Sequence, residues 1–244
     1  MPTLPVLSAL LTLAACGAPA EEKALDPVCT DPEPPACIDA MIQDLSLHDD
    51  KVSDAEVSTT RDGDDFVTFV DASAGGYSRA SAHPWTYVRF TELGAERVNV
   101  DDETALTDMT WHMAFRRFII RLNSGDSGPS CVGASALMGR RYDAVDAVPE
   151  GVTFLEDDSY TDDCSLINDS SGLPGSPQVA MGPWWDYPGC VDTTGTPFVV
   201  QLEDGRVLKL VVERYYDGDG DDECDDSQAT QEDGGFLTLR WRAL

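Results

Sequence analysis

The sequence predicts an all-β fold, built of antiparallel sheets with long loops and at most a minor helix. Three observations predict it. Short runs rich in β-branched and aromatic residues recur along the chain, a composition that suits a pleated, half-buried surface. Two of these runs flank the turn Glu203-Asp204-Gly205-Arg206, and an Asp-Gly turn between apolar runs signals a hairpin. Helical signals are few, and the best candidate spans Ala36 to Leu45.

The strands follow in order. Phe66 to Val70 (FVTFV) and Trp85 to Phe90 (WTYVRF) each form one strand by composition. Trp111 to Leu122 (WHMAFRRFIIRL) is a long apolar run with two adjacent arginines inside it. Its β-branched and aromatic content, and the Asn123-Ser124-Gly125 that ends it, favour a single strand over a helix. Between Gly125 and Pro197 the chain is mostly Gly, Pro, Ser and Asp. That stretch reads as loops, with Val152 to Leu155 as a short strand. Pro197 to Leu202 and Val207 to Tyr216 are the two arms of the hairpin, and Phe236 to Trp241 is the last strand.

At 244 residues and 42% hydrophobic content, the chain suffices for one sizeable core or at most two small ones. No repeat is visible. Leu4 to Ala15 is an uncharged, mostly apolar stretch of 12 residues, too short for the roughly 20 a membrane-spanning helix needs. It suits the apolar region of a secretory signal. It ends in Leu13-Ala14-Ala15-Cys16, which resembles a bacterial lipobox. Residues 1–15 are therefore expected to be a lipoprotein signal peptide, and Cys16 the lipidated residue that anchors the protein to a membrane. The departure is that no Lys or Arg precedes the apolar stretch. Gly17 rather than Asp follows the cysteine, which favours the outer membrane. Residues 16–37, rich in Pro, Ala and acid, are expected to be a tether, and residues 38–244 one domain.

The charge is lopsided, with 45 acidic against 16 basic residues and a net charge of -29. Such a surface repels nucleic acid and anionic lipid. With Cys16 set aside, six cysteines remain: Cys29, Cys37, Cys131, Cys164, Cys190 and Cys224. An even number in an exported chain reads as three disulfides. The one pairing expected from sequence is Cys29–Cys37, since both lie in one short Pro-rich segment. No CxxC or Cys/His spacing supports zinc.

Asp217 to Asp226 holds seven carboxylates in ten residues, including Asp217, Asp219 and Asp221. Calcium takes roughly six to eight oxygens from such clusters. An EF-hand loop starting at Asp217 fails, however, because Asp222 stands where Gly belongs and Gln228 where Glu belongs. A looser calcium turn and a plain solvated acidic loop both remain. Gly125-Asp126-Ser127-Gly128-Pro129 resembles a trypsin-like nucleophile motif, but it lacks the second Gly before Pro. His83 and Ser127 are also only 44 positions apart, so nothing forces a base onto the serine. No catalysis is expected.

The stretch Trp111 to Gly128 (WHMAFRRFIIRLNSGDSG) is similar to the signature of HmuY-like haem-binding lipoproteins. Those have a Trp-Asp-x-Ala-Phe strand, an aromatic and Arg-rich continuation, and an Arg-x-Asn-Ser/Gly-Gly-x-Ser-Gly turn. Here His112 replaces the usual Asp. The upstream aromatic strand, the segment Tyr142-Asp143-Ala144-Val145 leading to Pro149 and Asp157, and the closing strands agree in order, so the similarity covers roughly residues 50–244. The resemblance implies an outer-membrane lipoprotein that holds haem between long loops and passes it to a TonB-dependent receptor. It also implies two axial ligands between the signature and the closing strands, His or Met in different members. No His follows His112, and the methionines in that region are Met138 and Met181. A thioether is a legitimate haem ligand. Trp184, beside Met181, offers a ring to stack on a porphyrin; Tyr142 and Tyr160 are fallback ligands. Arg140 and Arg141 are candidates for the propionates. The expectation is thus a haem-binding surface lipoprotein. The alternative is a non-catalytic lipoprotein with a calcium-stabilised acidic loop and a structural or adhesive role.

Overall fold

In the computed structural model the chain is described over residues 28–173, 175–217 and 234–244. Cys16, Asp219, Asp221 and Cys224 lie outside the described residues, as do the signal peptide and most of the acidic loop.

A single α-helix, α1 (Ile38–Asp44), precedes twelve strands among the described residues. They are β1 (Val57–Asp62), β2 (Asp65–Asp71), β3 (Thr86–Thr91), β4 (Gly94–Val98), β5 (Met113–Arg116) and β6 (Ile119–Leu122). The rest are β7 (Gly133–Ala136), β8 (Trp185–Asp186), β9 (Asp192–Thr193), β10 (Phe198–Gln201), β11 (Val207–Tyr216) and β12 (Gly234–Ala243). One sheet runs β1-β2-β12-β11-β10-β7, a second β4-β3-β5-β6, and β8-β9 form a small ribbon. Every pairing between these strands is antiparallel, so the all-β expectation holds.

Alternation along each strand decides what each face buries. In β2 every second residue is buried, and Phe66 and Val70 meet Leu237, Leu239 and Trp241 of β12 in the core between the large sheets. Val88 and Phe90 of β3, Met113 and Phe115 of β5, and Ile120 and Leu122 of β6 fill the same core from the other side. The opposite face of the four-stranded sheet is buried too. Trp85, Tyr87 and Ala114 pack there with Met41 and Leu45 of the helix segment. A sheet covered on both faces yields near-continuous apolar strands, which is why Trp111 to Leu122 is so apolar.

The structure corrects two expectations. Trp111 to Leu122 is not one strand but the β5–β6 hairpin, with Arg116 opposite Ile119. Arg117 sits at the turn with φ of 54°, a conformation that costs a non-glycine residue. Tertiary contacts hold it: its N–H donates to Ala72 O at 2.7 Å, and its guanidinium donates to Gly234 O. No local turn signal marks this reversal. The Cys29–Cys37 pairing is also wrong, because Cys29 bonds Cys131 and Cys37 bonds Cys164. Cys190 is disulfide-bonded as well. Both observed bridges tie the N-terminal segment across the domain. Val28 N–H also donates to Glu203 O at 2.7 Å, and Glu33 N–H to Pro129 O at 2.8 Å. Within the expected tether, residues 28–37 are thus fastened to the sheets.

Candidate ligand site

The turn after β6 organises the loops that follow it. Asn123 stands buried at its start. Its amide nitrogen donates to Asp108 O (3.0 Å) and Trp111 O (2.8 Å), and its Oδ1 accepts from Ser130 N–H (3.2 Å). Gly128 packs so closely that a Cβ there would lie 2.3 Å from Asn123 Oδ1 and 2.7 Å from the Trp111 ring. Gly125, at φ of 52°, would place a Cβ 2.2 Å from Asp157 O. These two positions therefore require glycine. Ser127 offers its backbone oxygen (2.6 Å) and hydroxyl (3.4 Å) to the buried Arg121, which holds the turn.

Two carboxylates bind the next segment to this turn. Asp126 accepts from the N–H groups of Ser159 (2.8 Å) and Tyr160 (2.9 Å). Asp157 is buried, with one oxygen accepting from Leu122 N–H and the other from Ala180 N–H, each at 2.8 Å. Burial pushes the Asp157 carboxyl up to about 6, against the opposing pull of its hydrogen bonds from Ser127, Ala180 and Leu122 and the charge of Arg121. Ser159 adds a hydroxyl bond to Gln178 O at 2.6 Å. Residues 178–180 are thereby fixed beside β6.

Met181 comes next. It is fully buried and leads a single 3-10 turn, Gly182–Trp184. Trp184 is also buried; its Nε1 donates to Phe118 O at 3.0 Å, and its ring lies 5.8 Å from that of Tyr215. Thr194 holds the same turn from the other side, through its N–H to Trp184 O (2.9 Å) and its hydroxyl to Pro183 O (2.8 Å). The Thr194 hydroxyl lies 2.9 Å from that of Thr196, which in turn approaches the Met138 sulfur at 3.9 Å. Met138 follows β7 and is 69% exposed.

Thr194 and Thr196 thus connect Met138 with the Pro183–Trp184 backbone, with Met138 open to solvent and Met181 sealed in the core. Beside Trp184, through Phe118 and Tyr215, lies a pocket of about 120 Å³, lined among others by Arg117, Phe118, Tyr187, Tyr215 and Tyr216. Phe118 also packs obliquely against Trp185, with ring centres 4.7 Å apart. The sequence reading missed these pocket residues. The adjacent Tyr215-Tyr216 at a strand end was a visible signal, but their meeting with Phe118 depends on the hairpin it did not foresee.

The other expected residues lie elsewhere. Tyr142 sits on the outer face of the six-stranded sheet, where its hydroxyl donates to Asp65 at 3.0 Å and Lys209 Nζ lies 4.1 Å from its ring centre. Burial, then Asp65, raises its phenol further above the ordinary value. Tyr160 is buried in the core beneath the helix, and burial likewise raises its phenol. Arg140 is exposed, and Arg141 is an exposed partner of Asp143 at 3.5 Å. Asp217 ends the described part of the acidic segment. Among the described residues no group of three or more His, Cys, Asp or Glu side chains is placed to hold a metal ion. His112, where the signature has Asp, is buried. Its Nδ1 accepts from Phe90 N–H at 2.9 Å, so its proton sits on Nε2, which reaches Glu203 at 3.0 Å.

Fold and site define an antiparallel β domain with a loop-built aromatic pocket at one end. The family model described as HmuY protein matches residues 81–226; the chain belongs to the HmuY family. Solved structures similar to it include one described as an HmuY-like heme binding protein from Bacteroides vulgatus, with 18% identity and a TM-score of 0.47, covering 76% of this chain and 97% of that one. A lipoprotein from Bacteroides fragilis shows 15% identity and a TM-score of 0.47, covering 75% and 93%. The apo HmuY analog of Tannerella forsythia shows 16% identity and a TM-score of 0.45, covering 80% and 98%. No curated protein matches the chain significantly.

Proposed function

We propose that this protein binds haem without catalysis, at the end of the domain bounded by Met138 and Met181, as a lipid-anchored protein of the outer membrane that passes its cargo to a TonB-dependent receptor. Membership of the HmuY family is the observation that carries the reading. The local chemistry supports it. Met138 presents a thioether to solvent with a single weak hydroxyl contact, and Met181 lies on the turn tied to the same threonines. Aromatic rings and the Arg117 guanidinium line the adjoining pocket, which suits a flat apolar ring system bearing carboxylates.

The donor set fits haem, while the room does not yet. A pocket of about 120 Å³ is smaller than the roughly 300–1,000 Å³ of most small-molecule sites, and Met181 has no exposed surface. Admission of haem therefore requires the turn at 181–184 to part from Phe118 and Thr194. When bound, haem supplies an iron that takes axial ligands, and two thioethers would raise its potential. Met138 and Met181 would hold the iron, the aromatic rings would cover the porphyrin, and Arg117 would face the propionates.

Titrating hemin into the purified protein tests this. A shifted Soret band is expected, changed in both Met138→Ala and Met181→Ala. An unshifted band in the parent protein overturns the reading.

A further inference from the structure

We infer that the loop 75–83 is a lid over the aromatic pocket, with Tyr77 as its moving wall, and that its opening gates the entry and release of the pocket's ligand. This deepens the proposed haem reading and rests on it. The loop leaves and rejoins the domain at fixed points. Before it, Ala72 is buried, its N–H donating to Gly235 O and its oxygen accepting from Arg117 N–H, each at 2.7 Å. After it, Trp85 is buried and its N–H donates to Asp102 at 2.9 Å. Between these anchors the two ends of the loop meet, since a Cβ at Gly75 would lie 2.8 Å from His83 Nε2. This is the form of an Ω-loop, a compact surface excursion whose ends are close together.

The body of the loop can lift at little cost. Its 3-10 turn, Tyr77–Ala82, buries no residue, and segments with few buried contacts open with the smallest free energies. Two side chains from the segment after α1 reach its far end. His48 Nε2 donates to Ser81 O and Lys51 Nζ to Ala82 O, each at 3.1 Å. Both bonds are exposed and compete with water. The near end stores strain. Gly76 N–H donates to Ser73 O at 2.9 Å, and within that turn Ala74 has a φ of 50°, a conformation that costs a residue carrying a Cβ. On one side of the neck Tyr77, itself 56% exposed, walls the pocket of Phe118, Tyr187 and Tyr215. On the other lies an open cleft of about 450 Å³, lined among others by residues 73–75, Lys51 and His83. Rotation about the neck, absorbed by a few backbone dihedrals, carries Tyr77 away. The pocket of about 120 Å³ then gains the room it lacks when closed.

Stopped-flow binding of hemin to the full protein tests the lid, with His48→Ala and Lys51→Ala combined to free the far end of the loop. Lys51 is exposed, and His48→Ala keeps the backbone bonds of residue 48 to Asp102, so the variant retains the fold. High salt screens the lost charge of Lys51. Association and release should both quicken by about 5- to 10-fold, because the same two bonds close the loop over the empty and the filled pocket. Affinity should stay within about 2-fold, since a change that acts equally on both states shifts no equilibrium. Tyr77→Ala removes the wall itself and should speed release by about 10-fold. An unchanged association rate in the double variant, or release from Tyr77→Ala at the parent's rate, overturns the inference. If the parent protein binds no hemin, the proposed function fails and the lid with it. If the parent binds and the double variant matches its rates, the lid alone fails.

Discussion

Asp157 makes the folded state sensitive to pH in a direction opposite to that of most carboxylates. Its carboxyl is raised from 3.8 to about 6 by burial, a change of roughly 100-fold in proton affinity, or about 3 kcal/mol. The sign follows from which state holds the proton. Below 3.8 both the folded and the unfolded chain are protonated at this group, and its stabilising contribution is fully present. Between about 4 and 6 the unfolded chain has released the proton while the folded chain retains it, so stability falls as pH rises. Above about 6 the contribution is gone. Asp157→Asn removes this titration and leaves that of the other acidic groups in place. Urea unfolding of both proteins at pH 4, 5, 6 and 7, with disulfides intact, isolates the difference. The variant should start less stable at pH 4, because an amide accepts only one of the two N–H bonds. It should then gain on the parent by about 3 kcal/mol by pH 7. A stability gap that stays constant across this range refutes the reasoning.

Other outcomes follow from the same geometry. Cys37→Ser with Cys164→Ser opens a bridge between positions 127 apart; because Cys29–Cys131 stays closed, the loop released is about 40 residues and loop-closure entropy should lower stability by about 4 kcal/mol, read as a lower melting temperature. Gly128→Ala forces a methyl group against Asn123 and Trp111 and should cost ~1–3 kcal/mol in a chemical melt. His112→Ala strands the buried Phe90 N–H and should cost ~1–3 kcal/mol. His112→Asn should recover part of that loss, because an acceptor remains.

Much of the fold was legible. Phe66 to Val70, Trp85 to Phe90, the 198–216 hairpin and the last strand read correctly, because each combines strand composition with burial that tertiary packing reinforces. Ala36 to Leu45 contains the observed helix. The weak elements were those whose strands carry little apolar signal. β1 (VSTTRD) is mostly exposed; its Thr59 hydroxyl closes onto Ala95 of β4 at 3.0 Å, a contact between two unremarkable segments. The β5–β6 reversal was hidden because Arg117 and Phe118 carry no turn signature, and the carbonyls that stabilise it come from distant segments, Ala72 just after β2 and Gly234 at the start of β12.

The candidate site divides along the same line. Met138, Met181 and Trp184 were named from sequence; two threonines connect Met138 to the Trp184 turn, while Met181 lies in the core. Tyr142 was named with them, yet it lies on the outer face of the large sheet against Asp65. Nothing local distinguishes these cases, since the side a loop takes depends on which sheet its flanking strands join.

By itself the sequence determined the class of fold, the family signature, the acidic surface and the supply of cysteines, all properties of composition and short-range pattern. Tertiary structure alone decided which cysteines pair, where the signature strand turns back, and which carboxylate holds the Met181 loop. Those outcomes depend on groups more than 20 residues apart reaching bonding distance, as Asp157 and Leu122 do at 2.8 Å. A periodicity within one segment carries no information about such meetings.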